Sequence, residues 1–228
     1  MGDFVSKDLV KSTGNGGRHR PQKRTKGDME YSLYDTQGRR KYLVPLERSR
    51  FLRAALEARG KTASFCAVLG LTGARISEVL ALTPARIDGA NCAINFGTLK
   101  QKGSRPTRAV PVPRNLIMFL ESVHHIRTAQ NDPARANERL WGWSRTTGWR
   151  RVKAVMQMAS APQFVAMPKA LRHAFGVEAT LESIGLTMVQ RWLGHKDIKT
   201  TTIYTTVIGP EERALAKRTW RGFRSKKI

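Results

Sequence analysis

Apolar residues begin to recur at helical spacing at Leu46. Leu46, Phe51, Leu52, Ala55 and Leu56 form one stripe, which Gly60 is placed to stop. A more apolar helix is expected over Thr62–Leu71, ending in the Gly70/Gly73 region. A short third helix carries Ile76, Val79, Leu80 and Leu82 and ends before Pro84. The period then changes. Residues 93–96 alternate, Gly97 turns, Thr98–Gln101 can extend, and Arg108–Val112 alternates again, with a basic turn at Lys102–Pro106. Two or three short antiparallel strands are expected here. Helical spacing returns over Asn115–Arg127. The polar run Asn131–Asn137 around Pro133 reads as a loop, and Thr146–Ala159 as a helix with Trp149, Val152, Val155 and Met156 on one face. Lys169–Ser183, Met188–Leu193 and Ile198–Val207 complete the helices. The fold class is therefore mainly α with a small antiparallel β-sheet, an α+β arrangement.

Residues 1–45 lack this patterning and read as a poorly structured arm. Gly14, Gly16 and Gly17 precede Arg18, Arg20, Lys23, Arg24 and Lys26 without an acid among them. Residues 209–228 read as a second basic segment, with Trp220 and Phe223 as apolar anchors. Between the arms, residues 46–208 form the expected single folded domain.

Charge changes the picture more than composition does. The 228 residues hold 41 Lys and Arg against 17 Asp and Glu, a formal net charge of +24. A compact monomer with this excess repels itself, and aliphatic content is too ordinary for a disordered polycation. A polyanionic partner is implied, and nucleic acid fits best, because phosphate neutralisation releases counterions. A ribosomal-type protein and a membrane-surface binder are the weaker readings. Cys66 and Cys92 are expected to be buried free thiols, and no Cys/His cluster has zinc-ligand spacing. With no signal-peptide pattern and no apolar run long enough for a membrane span, a cytoplasmic location is expected.

Four short stretches carry candidate chemistry. Thr72–Glu78 places Arg75 just beyond a glycine turn, where it can simply pair with Glu78 at i,i+3. Leu171-Arg172-His173-Ala174-Phe175 follows Lys169 on the same helical face. Trp192-Leu193-Gly194-His195 leaves His195 at a helix end, and Thr200–Tyr204 puts a tyrosine beside Ile203 in a short helix. Taken singly, each reads as readily as surface, cap or core.

Their order and spacing do not. Arg75 comes first, then basic β-turn lysines, then Lys169 and Arg172, then His195 23 positions after Arg172, and Tyr204 nine after His195. Together with the wording Gly73-Ala74-Arg75-Ile76-Ser77-Glu78, Leu171-Arg172-His173, Leu193-Gly194-His195 and Thr201-Thr202-Ile203-Tyr204, this resembles the tyrosine recombinase (phage integrase) family over about residues 46–208. The family's signature is Arg, Lys, His-or-Lys-x-x-Arg, His-or-Trp and Tyr.

The resemblance implies the tyrosine recombinase catalytic-domain fold and a site-specific DNA recombinase of integrase or resolvase type. Tyr204 attacks a DNA phosphodiester and forms a 3′-phosphotyrosyl intermediate, with no metal and no cofactor. Arg75 and Arg172 hold the non-bridging oxygens, and His195 shares that work and assists proton transfer. A β-turn lysine protonates the departing 5′ oxygen. Lys100 is the first choice and Lys102 the competitor. Lys169 stands where many relatives have His, and keeps a cation near the phosphate. His173 reads as a structural or supporting histidine. The implied partners are double-stranded DNA bearing specific recombination sites and three further copies of the chain, as a homo-tetramer on DNA. Typical members carry a helical DNA-binding domain ahead of the catalytic one. Here residues 1–45 precede it, so the basic arm, a partner or a compact design would take its place. Two other readings remain. One is a DNA-binding accessory protein that has lost catalysis, the other an enzyme like the type IB topoisomerases.

Overall fold

A computed structural model of the chain describes residues 32–97, 107–207 and 209–219. The basic turn with Lys100 and Lys102, the arm before residue 32, and Trp220 and Phe223 lie outside the described residues. The helices are α1 (Pro45–Glu57), α2 (Gly60–Thr72), α3 (Ile76–Leu80), α4 (Arg114–His124), α5 (Ile126–Gln130), α6 (Arg145–Met158), α7 (Pro168–Leu181), α8 (Leu186–Leu193), α9 (Lys199–Thr202) and α10 (Pro210–Thr219). Strands β1 (Ile87–Asp88), β2 (Ala93–Gly97) and β3 (Thr107–Pro111) form an antiparallel sheet in the order β1-β2-β3. The architecture is the expected α+β one.

Helix α2 is the axis of the core. Nearly all of it is buried, from Ala63 through Gly70, and it packs against α1, α4, α6 and α7. Burial on all sides explains why its sequence is apolar all round instead of striped. Two helices that frame the site end alike: α2 at Gly73 (φ 61°) and α8 at Gly194 (φ 65°), both left-handed caps. In this region a glycine carries no steric cost. A Cβ on Gly73 would also collide with Phe175 and Leu193. The register Phe96↔Arg108 and Ile94↔Val110 puts Arg108 and Val110 on the buried face of β3.

Several expectations need correction. Residues 32–44 belong to the folded unit: Leu33, Tyr42 and Leu43 are buried, and Tyr34 and Arg40 form an isolated antiparallel bridge. Arg40 donates two hydrogen bonds to Glu47 at 2.7 and 2.6 Å, and Glu47 accepts the Val44 backbone N–H, capping α1. Sequence polarity hides this because the apolar anchors Leu33, Tyr34, Tyr42, Leu43 and Val44 flank a polar run without helical spacing. Gly60 opens α2 instead of merely ending α1. The helix expected over Asn115–Arg127 breaks at His125, whose φ of 51° starts α5. Ile198–Val207 is α9 followed by a 3-10 turn over Ile203–Thr205, and the tail after residue 208 is helical in α10. Cys92 sits in the turn before β2, partly exposed, and Cys66 is buried. Trp149 is half-exposed although Val152, Val155 and Met156 on the same helix are buried, and Leu46 and Leu56 are exposed.

A second, smaller apolar cluster matters for function. Leu33, Tyr42, Val177, Val189, Leu193 and Val207 pack around Tyr204. Gly176 on α7 lies against the Tyr204 ring, and any Cβ there would overlap it. The wall behind the tyrosine thus includes the segment that precedes α1. Leu33→Ala should cost about 2–5 kcal/mol in a urea unfolding titration, as for a buried leucine in a packed core. A loosely attached arm would give almost no change.

Candidate active site

Three chain reversals converge at one cleft. The α2–α3 turn brings Arg75, the first turns of α7 bring Lys169, Arg172 and His173, and the α8–α9 turn brings His195. Tyr204 closes the floor from the 3-10 turn. All six line a single open cleft of about 720 Å³, so five of the six predicted site residues are brought together. The sixth, Lys100, is outside the described residues.

Arg172 is the deepest cation, 7% exposed. Its two terminal nitrogens donate to the carbonyls of Gly73 and Leu193 at 2.8 and 2.7 Å. Both carbonyls stand at helix C-termini, where unsatisfied C=O groups concentrate negative partial charge. Burial, with Arg75 nearby, pulls the guanidinium down to about 10, so it keeps its charge at neutral pH. Of its five N–H donors two are used by these carbonyls, leaving others for an anion.

Glu78 is the counterweight. Its side chain is buried, and it accepts from Arg108 at 3.1 and 2.7 Å and from Arg75 at 3.0 Å, as well as from the Arg75 backbone N–H at 2.8 Å. Burial alone would raise this carboxyl. The hydrogen bonds and charges of Arg108 and Arg75 outweigh it and hold the group below its ordinary range. Arg108 also donates to the Trp192 carbonyl at 2.7 Å and lies over the Phe96 ring. The i,i+3 pairing of Arg75 with Glu78 is therefore real, and it aims Arg75 at the cleft with its side chain 48% exposed. Arg108 was not singled out from the sequence. The available signal was its alternation with Val110 and Val112, which puts a charged residue on the apolar face of a strand.

Tyr204 is 1% exposed. Burial pushes its phenol up to about 12 against the pull of Arg172 and Arg75. Its hydroxyl is 3.4 Å from Nδ1 of His173. The His195 ring lies nearly parallel to it, 13° apart with centroids 6.3 Å distant, and His195 Nδ1 shares a hydrogen bond of 2.8 Å with Thr201 Oγ1. Burial and the surrounding cations drive both imidazoles down to about 3, Arg172 and Arg75 acting on His195, and Lys169, Arg172 and Lys41 on His173. The cleft thus sets several cations around two imidazoles and a phenol, with Asp197 as the acid in its lining. Among the described residues no group of three or more His, Cys, Asp and Glu side chains could hold a metal ion, and no helix is long and apolar enough to cross a membrane.

The lowered imidazoles make stability depend on pH. Each histidine binds a proton near pH 6.5 when unfolded but only near 3 when folded, so its contribution is complete above 6.5 and lost as pH falls toward 3. Between pH 6.5 and 4.5, buried His173 should remove about 1.4 kcal/mol per pH unit. Partly exposed His195 should remove less, because water screens it. Urea unfolding at stepped pH checks this, and His173→Asn should flatten the slope.

Comparison with known proteins identifies the family and the fold. The phage integrase family model matches residues 41–208. Tyrosine recombinase XerD of Pseudomonas aeruginosa is 32% identical over 152 residues, covering 61% of this chain and 47% of the relative. XerD of Yersinia pestis is 30% identical over 167 residues, covering 70% and 54%. The chain spans about half the length of the curated relatives it matches. Among solved structures, XerA recombinase has a TM-score of 0.65 at 23% identity over 78% of this chain and 64% of that one. The catalytic domain of bacteriophage HP1 integrase has a TM-score of 0.54 at 20% identity, over 79% and 96%. At these identities the solved structures speak to the fold alone, which is that of the tyrosine recombinase catalytic domain. By the family match and the shared fold, the chain belongs to the phage integrase family.

Proposed function

We propose that this chain is a site-specific DNA recombinase that cuts and rejoins double-stranded DNA through Tyr204. The observation that carries the reading is the convergence of Arg75, Arg172, His195 and Tyr204, far apart in sequence, on one cationic cleft. Several relatives are described as tyrosine recombinases, and one solved neighbour as XerH in a post-cleavage complex with its difH substrate. In a protein that only binds DNA, Tyr204 would serve as the centre of its apolar cluster, and its place in the lining of the cationic cleft would go unused.

The chemistry follows from the residues. The phosphodiester enters the cationic cleft, and Arg75 and Arg172 bind its non-bridging oxygens through donors already fixed by Glu78 and by the two helix ends. Because these donors do not reorganise as charge builds, they favour the transition state over the ground state. His195, its Nδ1 held by Thr201, turns Nε2 to the same phosphate, and Lys169 adds a cation at the rim. The Tyr204 oxygen bonds to phosphorus as the bond to O5′ breaks, and Lys100 gives O5′ its proton. The phosphotyrosyl ester conserves the bond energy, so rejoining needs no cofactor. Exchange between two duplexes calls for four copies of the chain, each supplying one tyrosine.

Tyr204→Phe should abolish the denaturant-resistant protein–DNA adduct on a nicked duplex while leaving duplex affinity unchanged in a gel-shift titration. Continued cleavage by this variant would overturn the assignment. Relaxation of supercoiled DNA without sequence preference would favour the topoisomerase-like reading instead.

The leaving-group acid has its own test. Lys100→Ala should slow single-turnover cleavage about 10²–10⁴-fold, the usual size of a lost general acid. A substrate with sulfur at the 5′ bridging position, a leaving group that needs no proton, should restore the rate. If Lys102→Ala shows this behaviour and Lys100→Ala does not, the role passes to Lys102.

A further inference from the structure

Attack by Tyr204 requires its hydroxyl proton to leave, and the family resemblance gives only His195 a part in moving it. His195 is poorly turned for the task. Its ring stacks on the tyrosine ring instead of meeting the hydroxyl edge-on, and its Nδ1 is engaged by Thr201. Lys169 also lines the cleft, but an ammonium offers three donors and no acceptor. Among the described residues, the hydrogen-bond partner of the Tyr204 hydroxyl is Nδ1 of His173 at 3.4 Å.

His173 has a second unusual feature. Its Nε2 is buried and has no hydrogen-bond partner among the described residues. A neutral imidazole that accepts from a hydroxyl at Nδ1 must carry its proton on Nε2. A histidine retained only to fill space would leave that buried N–H unpaired for no return, and an apolar side chain would serve better. Catalytic contacts are often long before substrate binds, so 3.4 Å suits a base waiting for its reaction.

We infer that His173 accepts the Tyr204 proton during strand cleavage and returns it during rejoining, which makes it a catalytic residue. This inference rests on the recombinase reading above. In cleavage the oxygen–phosphorus bond of the ester forms, the phosphorus–O5′ bond breaks, and the phenol proton passes to Nδ1 to give an imidazolium. In rejoining a 5′ hydroxyl attacks, the bond from phosphorus to the tyrosine oxygen breaks, and Nδ1 hands the proton back to that oxygen. Lys100 gives up and regains its own proton at O5′, so the protons balance over the cycle.

The surroundings keep this base idle until DNA arrives. Burial, with Lys169, Arg172, Lys41 and His195 around it, holds the imidazole near 3, while burial holds the phenol near 12. Transfer in the free protein is therefore steeply uphill. A bound phosphodiester offsets those cations, and the phenol becomes strongly acidic as its oxygen bonds to phosphorus. Both changes come only with substrate.

The test uses the full chain and nicked duplexes tiled across the DNA flanking its coding sequence, on which the wild type accumulates the covalent adduct. His173→Asn should lower the single-turnover rate about 10²–10⁴-fold at unchanged duplex affinity. Placing 3,5-difluorotyrosine, a more acidic phenol, at position 204 should recover about tenfold or more in the His173→Asn background and far less in the wild type. The 5′-sulfur substrate should give His173→Asn no comparable recovery. His173→Gln, with its melting curve recorded, provides a second variant should Asn fail to fold. A rate for either folded variant close to that of the wild type overturns the inference. So does a slow variant that is indifferent to phenol acidity, since that is the mark of a packing defect. Absence of any adduct from the wild type overturns the recombinase reading itself.

Discussion

The arrangement depends on a buried guanidinium held between two helix ends. Arg172 bonds to Gly73, which caps α2, and to Leu193, the last residue of α8. One side chain on α7 thereby fixes two other helices relative to its own. Burying a cation at this depth is unfavourable unless its donors are met. The C-terminal carbonyls meet them without a neutralising carboxylate, so the positive charge stays available. Glu78 works the other way: as a buried carboxylate it consumes the charge of Arg108 while steering Arg75. Arg108, bound to both oxygens of Glu78 and to the Trp192 carbonyl, is thereby spent on structure, whereas Arg172 is held without an acid.

The same logic explains the electrostatic state of the free cleft. Arg75, Lys169 and Arg172 surround imidazoles held neutral and a phenol held protonated. Like charges so close together are tolerable because Glu78 anchors one side and the helix ends another. The arrangement remains rich in positive charge, which a phosphate group would offset in the proposed reaction. On the proposed mechanism, affinity and chemistry would draw on one set of charges.

Much of this was legible in the sequence. Helices with a one-sided apolar stripe, such as that carrying Val152, Val155 and Met156, were readable from period alone. The order Arg75, Arg172, His195, Tyr204 points to the site through the family resemblance, and the fold brings all four to one cleft. What escaped notice depends on tertiary packing. Leu33 and Tyr42 lie in a polar stretch whose burial requires α7 and the tyrosine turn to be in place. Arg108 looked like one more basic residue until strand register set it beside Glu78. Likewise, the contact from His173 to the Tyr204 hydroxyl spans 31 positions, and no local pattern encodes it. The split at His125 is a backbone event that its helix-compatible neighbours do not announce.

The fit of Gly176 against the tyrosine ring has a bearing on descent. Glycine and alanine codons differ by a single base, and the added methyl would occupy space the ring now fills. The tyrosine would have to move, while every residue of the signature stayed in its place along the chain. On the proposed function, a lineage could in this way lose strand cleavage and keep DNA binding, yet still read as an intact recombinase. The letter at position 176 would be its only mark.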